Sequence, residues 1–372
     1  MNASLRAQQI IEPAEPVEAP AIVPTLEYAG STKALFALCF KNLLLTIATL
    51  GIYRFWATTR TRRFLWASTR VGGEPLEYTG TGKELFFGFL IAAAILIPTF
   101  GGLALAEFLL VDDSPAAFFA LTLFRGVLIL VLVFAGIYAA ARYVMSRTCW
   151  RGIRFAQTGS AWAYAGRSLL GVLLTAVTLG LFYPVMQIWQ TRYLTNTMRF
   201  GSAQFAFTGR ARQLYGRFLL CYAIGVLLVV TFVAVMVAIS IALAAGGRTP
   251  APENPALQAF SMASAVAVML IGQMLFTWYQ ARFLRVRAEQ TRLEGISFSM
   301  PAISGMKLIR LMYGNFLLLA VSFGLLYPLT VQRTMRFWTR HLRIAGQLDF
   351  ARVAQAARGP RIGEGLTGML GG

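Results

Sequence analysis

Four long apolar stretches restrict this chain to folds that place much of it in a lipid bilayer. Residues 85–106, 126–141, 218–247 and 254–281 contain no charged side chain. A helix needs about 20 apolar residues to cross the hydrocarbon core of a bilayer. In the whole chain 57% of the residues are hydrophobic and 13% are charged, whereas about 25% are charged in soluble domains. The sequence therefore predicts a mainly α, polytopic helical membrane protein.

The basic residues are unevenly distributed along the chain. The net charge is +19, which in a soluble protein would favour nucleic acid as a partner. Most Lys and Arg residues lie in segments 54–83, 142–167, 192–217, 282–310 and 333–361. Residues 111–117, between two apolar stretches, contain none. This is the positive-inside pattern of membrane proteins, so we expect the basic segments in the cytoplasm and no nucleic-acid partner.

The two ends of the chain differ from the part between them. Residues 1–25 contain glutamates and prolines but no apolar core of a secretory signal. We interpret them as a disordered N-terminal tail whose start lies in the cytoplasm. The membrane domain is predicted to occupy residues 26–346, followed by a C-terminal tail over 347–372.

A short motif occurs three times, as TLGIYRFW (49–56), TLGLFYPV (178–185) and SFGLLYPL (322–329). Aligning the central glycines also aligns an Arg-aromatic pair twelve residues later and a Thr or Ser two residues earlier. Self-similarity of this kind indicates an internal repeat. The repeat divides the membrane domain into units 26–145, 153–285 and 296–346, of which the first two add a transmembrane hairpin to the motif.

Short strands and one helix start are predicted between the apolar stretches. Runs in which apolar residues alternate have the period of a β-strand with one buried face. We expect them to pair into a small cytoplasmic sheet. The runs are 26–30, 75–80, 153–159, 205–209, 296–301 and 348–351. Thr81 and Glu84 have the spacing of a capping box, which predicts the start of the first long helix.

The repeated motif contains residues that interrupt a helix. The candidate break positions are Gly51, Gly180, Pro184, Gly324 and Pro328. If the motif crossed the bilayer once, its basic flanks would lie on opposite sides and the charge pattern would fail three times. A re-entrant or kinked element, with four full spans elsewhere, is therefore the first hypothesis. Seven full spans are the second, because Ser168–Thr191 and Leu311–Gln332 are uncharged and long enough to cross.

Arginines next to aromatic residues are candidates for contact with anionic lipid headgroups. They are Arg63, Arg192, Arg336, Arg142 and Arg282. The simpler alternative is ordinary anchoring at the membrane interface, which needs no dedicated lipid site.

Few residues suggest catalysis or a cofactor. The chain has one histidine, His341, and its three cysteines share no metal-ligand spacing. We expect no catalytic residue, no cofactor and no metal site. Glu107 and Arg125 are ionisable residues near the turn of the first transmembrane hairpin, and we expect them to form a structural ion pair.

Residues 60–90 (RTRRFLWASTRVGGEPLEYTGTGKELFFGFL), preceded by GIYRFW, resemble the YjgN-like family of uncharacterised bacterial inner-membrane proteins. The resemblance extends over most of residues 25–346. Members share a G-[IL]-Y-x-P-W turn, an arginine-rich helix and a strand ending in Tyr-Thr-Gly. The first motif departs from this pattern at Arg54-Phe55, whereas Pro184 and Pro328 keep the proline. The resemblance implies a location in the bacterial inner membrane and transfers no catalytic residue.

Two hypotheses for function lead at this point and neither is enzymatic; an enzyme acting on a membrane-embedded substrate ranks third. The first is a transporter or channel, in which the three motifs meet around a polar cavity. The alternative is a membrane-organising scaffold that binds lipid or a partner through its basic interfacial helices. The sequence does not determine an oligomeric state.

Overall fold

The structure, a computed structural model, describes residues 25–111, 114–246, 255–347 and 353. The predicted N-terminal tail, almost all of the C-terminal tail and the run 348–351 lie outside these residues. Within them the chain forms ten helices and ten short strands. The helices are α1 (Thr32–Ala48), α2 (Arg54–Ala67), α3 (Gly82–Leu110), α4 (Pro115–Ser146), α5 (Ala161–Val177), α6 (Tyr183–Asn196), α7 (Arg212–Ala245), α8 (Pro255–Glu289), α9 (Gly305–Val321) and α10 (Tyr327–His341).

Four of these helices are long and apolar enough to cross a membrane. They are α3, α4, α7 and α8, with 29, 32, 34 and 35 residues. The most apolar 18-residue stretch of each contains no buried residue, so these side chains are available to contact lipid. We call α3–α4 and α7–α8 the first and second long hairpins. Four spans agree with the first of the two topologies considered from the sequence.

The other six helices form three short hairpins, α1–α2, α5–α6 and α9–α10. Contacts at the base of the second one show that its helices run antiparallel. The Tyr193 hydroxyl donates to the carbonyl oxygen of Ser160 at 2.8 Å and accepts from its N–H at 2.9 Å. Both ends of every short hairpin join strands of one sheet. A helix of 17 residues is about 25 Å long, so each hairpin extends away from the sheet and returns to it.

The strands form one antiparallel sheet in chain order from β1 to β10. They are β1 (Leu26–Tyr28), β2 (Thr69–Val71), β3 (Glu74–Tyr78), β4 (Thr148–Trp150), β5 (Ile153–Gln157), β6 (Met198–Phe200), β7 (Ala203–Phe207), β8 (Thr291–Leu293), β9 (Ile296–Ser299) and β10 (Arg343–Ala345). Two-residue turns join several neighbours. In one of them Arg151 and Gly152 have φ of 51° and 75°, the left-handed geometry that matches the twist of a β-hairpin.

Five of the six predicted strand runs lie on β1, β3, β5, β7 and β9. They do not pair directly with one another, because β2, β4, β6, β8 and β10 lie between them. The runs predicted from the sequence do not include these five strands. Each is three residues long, and three residues contain too little alternation to be recognised.

The buried core has separate sheet and helix parts. On the sheet, Phe200, Phe205 and Ile296 pack in one cluster. Between the second short hairpin and the second long hairpin, Ile188 packs with Tyr279 in another. The packing therefore connects the sheet and the helical hairpins through side chains close to the base of each hairpin.

Candidate functional site

The repeated motif forms the tight turn at the tip of each short hairpin. In the first one, the Gly51 N–H donates to the carbonyl oxygen of Thr46 at 2.7 Å, and the Leu50 N–H donates to that of Ile47 at 3.1 Å. This is the Schellman arrangement that ends a helix. Leu50 has φ of 50° and Gly51 has φ of 92°. The corresponding residues of the other two motifs have nearly the same geometry.

The Thr or Ser two residues before each glycine connects the two helices of its hairpin. The Thr178 hydroxyl donates to the carbonyl oxygen of Leu174 at 2.7 Å and accepts from the N–H of Phe182 at 3.0 Å. Thr49 and Ser322 make the same two bonds in their hairpins. A hydroxyl at this position therefore links the end of the first helix to the start of the second by hydrogen bonds.

Replacing Thr178 by Val is expected to lower the free energy of unfolding in detergent by about 1–3 kcal/mol, because it leaves the Phe182 N–H without a partner. Thr178→Ser keeps the hydroxyl, which the third motif already uses as Ser322, and is the matched control. Thermal or chemical unfolding of the purified variants measures the difference. Equal stability of the Val and Ser variants would contradict this role.

The prolines do not interrupt a helix in the structure. Pro184 and Pro328 lie in the first turn of α6 and α10, where a missing N–H loses no intrahelical bond. Phe55 takes the corresponding place in α2, and its ring contacts the rings of Phe86 and Phe89 with centroids at 5.5 and 5.2 Å. The candidate break positions therefore separate two helices at a turn, instead of bending one continuous helix.

The residue before each glycine is apolar and almost fully exposed. Leu50, Leu179 and Phe323 have exposed fractions of 95%, 80% and 96%. All three also have positive φ, a conformation that is unfavourable for side chains of this size. An exposed apolar side chain at the tip is well suited to contact with the hydrocarbon of a bilayer.

The predicted headgroup-contacting arginines lie on five different helices near the sheet. Arg63 and Arg192 each donate to a carbonyl oxygen at 2.9 Å, that of Gly80 and Gly209 respectively. Both glycines lie just before a long helix, so these arginines connect a short hairpin to the next long one. Arg282 donates to the carbonyl oxygen of Gln213 at 3.3 Å.

The remaining two candidates are Arg142 and Arg336. Arg142 is half-buried near the end of α4. Burial raises the pKa of Tyr28, and the nearby charge of Arg336 opposes that rise. The structure does not bring the five arginines together, and their contact with headgroups stays a prediction.

A cavity of about 600 Å³ lies beside the base of the second short hairpin. Arg167, Trp189, Arg192 and Asn196 are part of its wall, which contains no acidic side chain. The Arg167 guanidinium also lies 4.9 Å from the ring centre of Tyr193. Arg167 is not among the arginines predicted from the sequence, because it lies inside an apolar helix without an adjacent aromatic residue. Two guanidinium cations, an indole and an amide therefore line one open cavity.

A larger cleft of about 960 Å³ lies between the first and third short hairpins. Asn42 and Arg54 line it from the first hairpin, and Asn315 lines it from the third. Its wall includes Gly324, while Gly51 and Gly180 are not part of it. The cleft therefore does not join the three turns.

The ion pair expected in the first long hairpin is present. An oxygen of Glu107 contacts a guanidinium nitrogen of Arg125. Glu107 is buried, and its other carboxylate oxygen has no hydrogen-bond partner. The pair joins α3 to α4 near their turn.

The four exposed apolar helices and the single sheet define a polytopic membrane protein. The chain belongs to the family of bacterial proteins of unknown function DUF898, whose sequence profile matches residues 24–369. This agrees with the resemblance seen in the sequence. No solved structure matches the chain.

Relatives are inner membrane proteins named YjgN. The one from Salmonella typhimurium is 33% identical over 131 residues, which are 35% of this chain and 30% of the relative. The one from Escherichia coli K12 is 29% identical over 158 residues, which are 41% of this chain and 36% of the relative. The chain thus matches about a third of the length of these relatives, and their names specify a membrane and no activity.

Proposed function

We propose that the protein is a non-enzymatic, membrane-organising protein of the inner membrane that holds anionic lipid against its basic, sheet-bearing side. The observation that carries this proposal is the cavity at the second short hairpin, where Arg167 and Arg192 lie beside Trp189. Arginine binds phosphate through paired N–H groups, and tryptophan favours the headgroup level of a bilayer. The position of Arg192 in the wall of this cavity supports its assignment as a headgroup-contacting residue.

The proposed topology has four full spans and three re-entrant hairpins. The short hairpins leave and rejoin one sheet, which supports placing all basic segments on one side. By the positive-inside rule that side is the cytoplasm, together with the sheet and the start of the chain. The same order of strand, two short helices and strand at each motif supports three repeat units, 26–145, 153–285 and 296–346.

Transport is the less well supported function. A transporter or channel built on the three motifs needs a cavity that connects their turns. The larger cleft contains Gly324 in its wall but neither Gly51 nor Gly180. For this reason we favour lipid binding over transport.

Substituting both Arg167 and Arg192 by Gln is expected to weaken binding of phosphatidylglycerol by roughly thirtyfold, since each basic residue near an anionic headgroup contributes about 1 kcal/mol. Native mass spectrometry of the detergent-extracted protein counts the bound lipids. Arg167→Gln alone keeps the bond from Arg192 to Gly209 and is expected to show part of the loss.

The control matched to Arg167→Gln is Arg292→Gln, which likewise removes one positive charge, from the exposed middle of β8. It is expected to leave phosphatidylglycerol binding unchanged. An equal loss in the control would mean that net charge alone attracts the lipid, and no loss in the double variant would refute the site.

A further inference from the structure

The two ends of the membrane domain meet around the larger cleft. The Thr32 hydroxyl bonds to the side-chain oxygen of Gln332, and the Gln332 amide donates to the carbonyl oxygen of Gly30 at 2.8 Å. These bonds hold the start of α1 against α10. The first and third short hairpins therefore form one joint structure with the cleft between them.

Two asparagines in the cleft wall have unused acceptor atoms. Asn42 and Asn315 each lie nine residues before the glycine of their motif. Their amide nitrogens donate to the carbonyl oxygens of Ala57 and Thr330 at 3.5 and 3.4 Å. The side-chain oxygens of both asparagines are buried and have no partner, and Asn42 is 4% exposed. Buried acceptors without a donor are unfavourable, and the same defect occurs twice in one cleft.

The second short hairpin lacks this arrangement. It has Gly171 at the corresponding place. A Cβ atom there would lie 2.5 Å from Cγ of Met186, so the two helices are in close contact. The cleft with its unpaired acceptors is thus a property of the first and third hairpins.

The threonine hydroxyls in the cleft also act as acceptors towards it. Thr46, Thr58 and Thr334 donate their hydroxyl protons to backbone carbonyl oxygens of their own helices, at 2.7 to 2.8 Å. The oxygens of Thr46 and Thr58 keep lone pairs for a hydrogen-bond donor, whereas Thr334 also accepts from the Asn315 amide nitrogen at 3.1 Å. The neutral polar groups of the wall therefore favour a ligand that donates hydrogen bonds.

Two arginines supply positive charge to the same cleft. Arg54 and Arg62 line it from α2. Along the axis of α2, at about 1.5 Å per residue, Arg54 lies about 4.5 Å before Ala57 and Arg62 about 7.5 Å beyond it. Arg62 also donates to the Tyr78 hydroxyl at 3.1 Å, and the Arg54 guanidinium lies 5.0 Å from the ring centre of Phe55. The cleft therefore has one cation on either side of the place where Asn42 contacts the Ala57 carbonyl oxygen. The rim includes Phe36, Phe40 and Leu325, each at least 40% exposed, which suits acyl chains.

We propose that this cleft binds one glycerophospholipid whose headgroup donates hydrogen bonds. The phosphate lies against Arg54 and Arg62, and the ammonium or hydroxyl of the headgroup donates to the oxygens of Asn42 and Asn315. The acyl chains cover the apolar rim. This site is separate from the cavity at Arg167 and binds by a different chemistry, because it selects donors in the headgroup rather than net charge.

The test compares phosphatidylethanolamine with phosphatidylcholine of the same acyl chains, which have equal net charge but differ in N–H donors. Native mass spectrometry of the full chain is expected to show a preference for phosphatidylethanolamine of about fivefold or more, from two hydrogen bonds to the headgroup. In the Asn42→Ala/Asn315→Ala variant the ratio is expected to fall close to one. Arg54→Gln is expected to weaken the binding of both lipids by the same factor.

A second variant covers the case in which the double asparagine variant does not fold. Val331→Phe fills the cleft without changing either asparagine and is expected to lower the binding of both lipids. Equal binding of the two lipids by the wild type would overturn the proposal, as would a preference that survives both asparagine substitutions. Displacement of phosphatidylethanolamine by inorganic phosphate alone would also overturn it, because the site would then recognise a free anion.

Discussion

Arg125→Leu is expected to lower the free energy of unfolding by about 3 kcal/mol, the low end of the cost of leaving a buried charge unpaired, because Glu107 is buried while Arg125 is half-buried. Glu107 is 6% exposed, and one of its carboxylate oxygens already lacks a partner. Removing the guanidinium leaves both oxygens of a buried carboxylate without a partner. Equilibrium unfolding of the purified protein in mixed micelles measures the loss.

Two controls separate the buried pair from charge in general. Glu107→Leu/Arg125→Leu removes both charges and is expected to be much more stable than Arg125→Leu alone, because nothing charged stays buried. Glu74→Gln breaks the exposed pair between Glu74 and Arg151, which lie 2.8 Å apart, and is expected to change stability little. If the double variant were as unstable as Arg125→Leu, packing rather than charge would explain the loss.

This ion pair is one of the features that the sequence predicted correctly, and the reason is local. Charged residues are rare in apolar stretches, and Glu107 and Arg125 lie on either side of one turn. The start of α3 was also predictable, because the Thr81 side chain caps the helix by accepting from the Glu84 N–H at 3.3 Å. The Glu84 carboxylate accepts instead from Tyr143 and Arg147. Patterns within a few residues, or across one turn, contain enough information to be recognised.

The features that could not be predicted from the sequence depend on contacts between distant parts of the chain. Asn42 and Asn315 belong to different repeats and line one cleft only because α10 packs against α1. Taken singly, each is a polar residue in an apolar helix. Arg167 was missed in the same way, since its partner Arg192 is on the other helix of the hairpin. The larger cleft is therefore a consequence of how the hairpins pack, which no single segment specifies.

The tips of the short hairpins give the second large effect. Leu179→Asp is expected to destabilise the protein in a bilayer by about 2.5–3.5 kcal/mol, the cost of a charge at membrane depth. Leu179 is 80% exposed and has φ of 50°, a conformation that Asp tolerates better than Leu. At a tip in water the same substitution would be neutral or stabilising. The sign of the change thus reports where the tip lies.

Leu179→Gly is the matched control, because it removes the apolar side chain and also the backbone strain without adding a charge. It is expected to be stabilising by up to about 1 kcal/mol, the strain relieved at positive φ.

With Asp at Leu50, Leu179 and Phe323 together, the summed cost of about 8–10 kcal/mol matches the whole stability of a typical domain. We therefore expect the triple variant to fail to accumulate in the membrane, measured by immunoblotting of membrane fractions. Normal accumulation of the triple Asp variant would refute re-entrant hairpins and place the three tips in water.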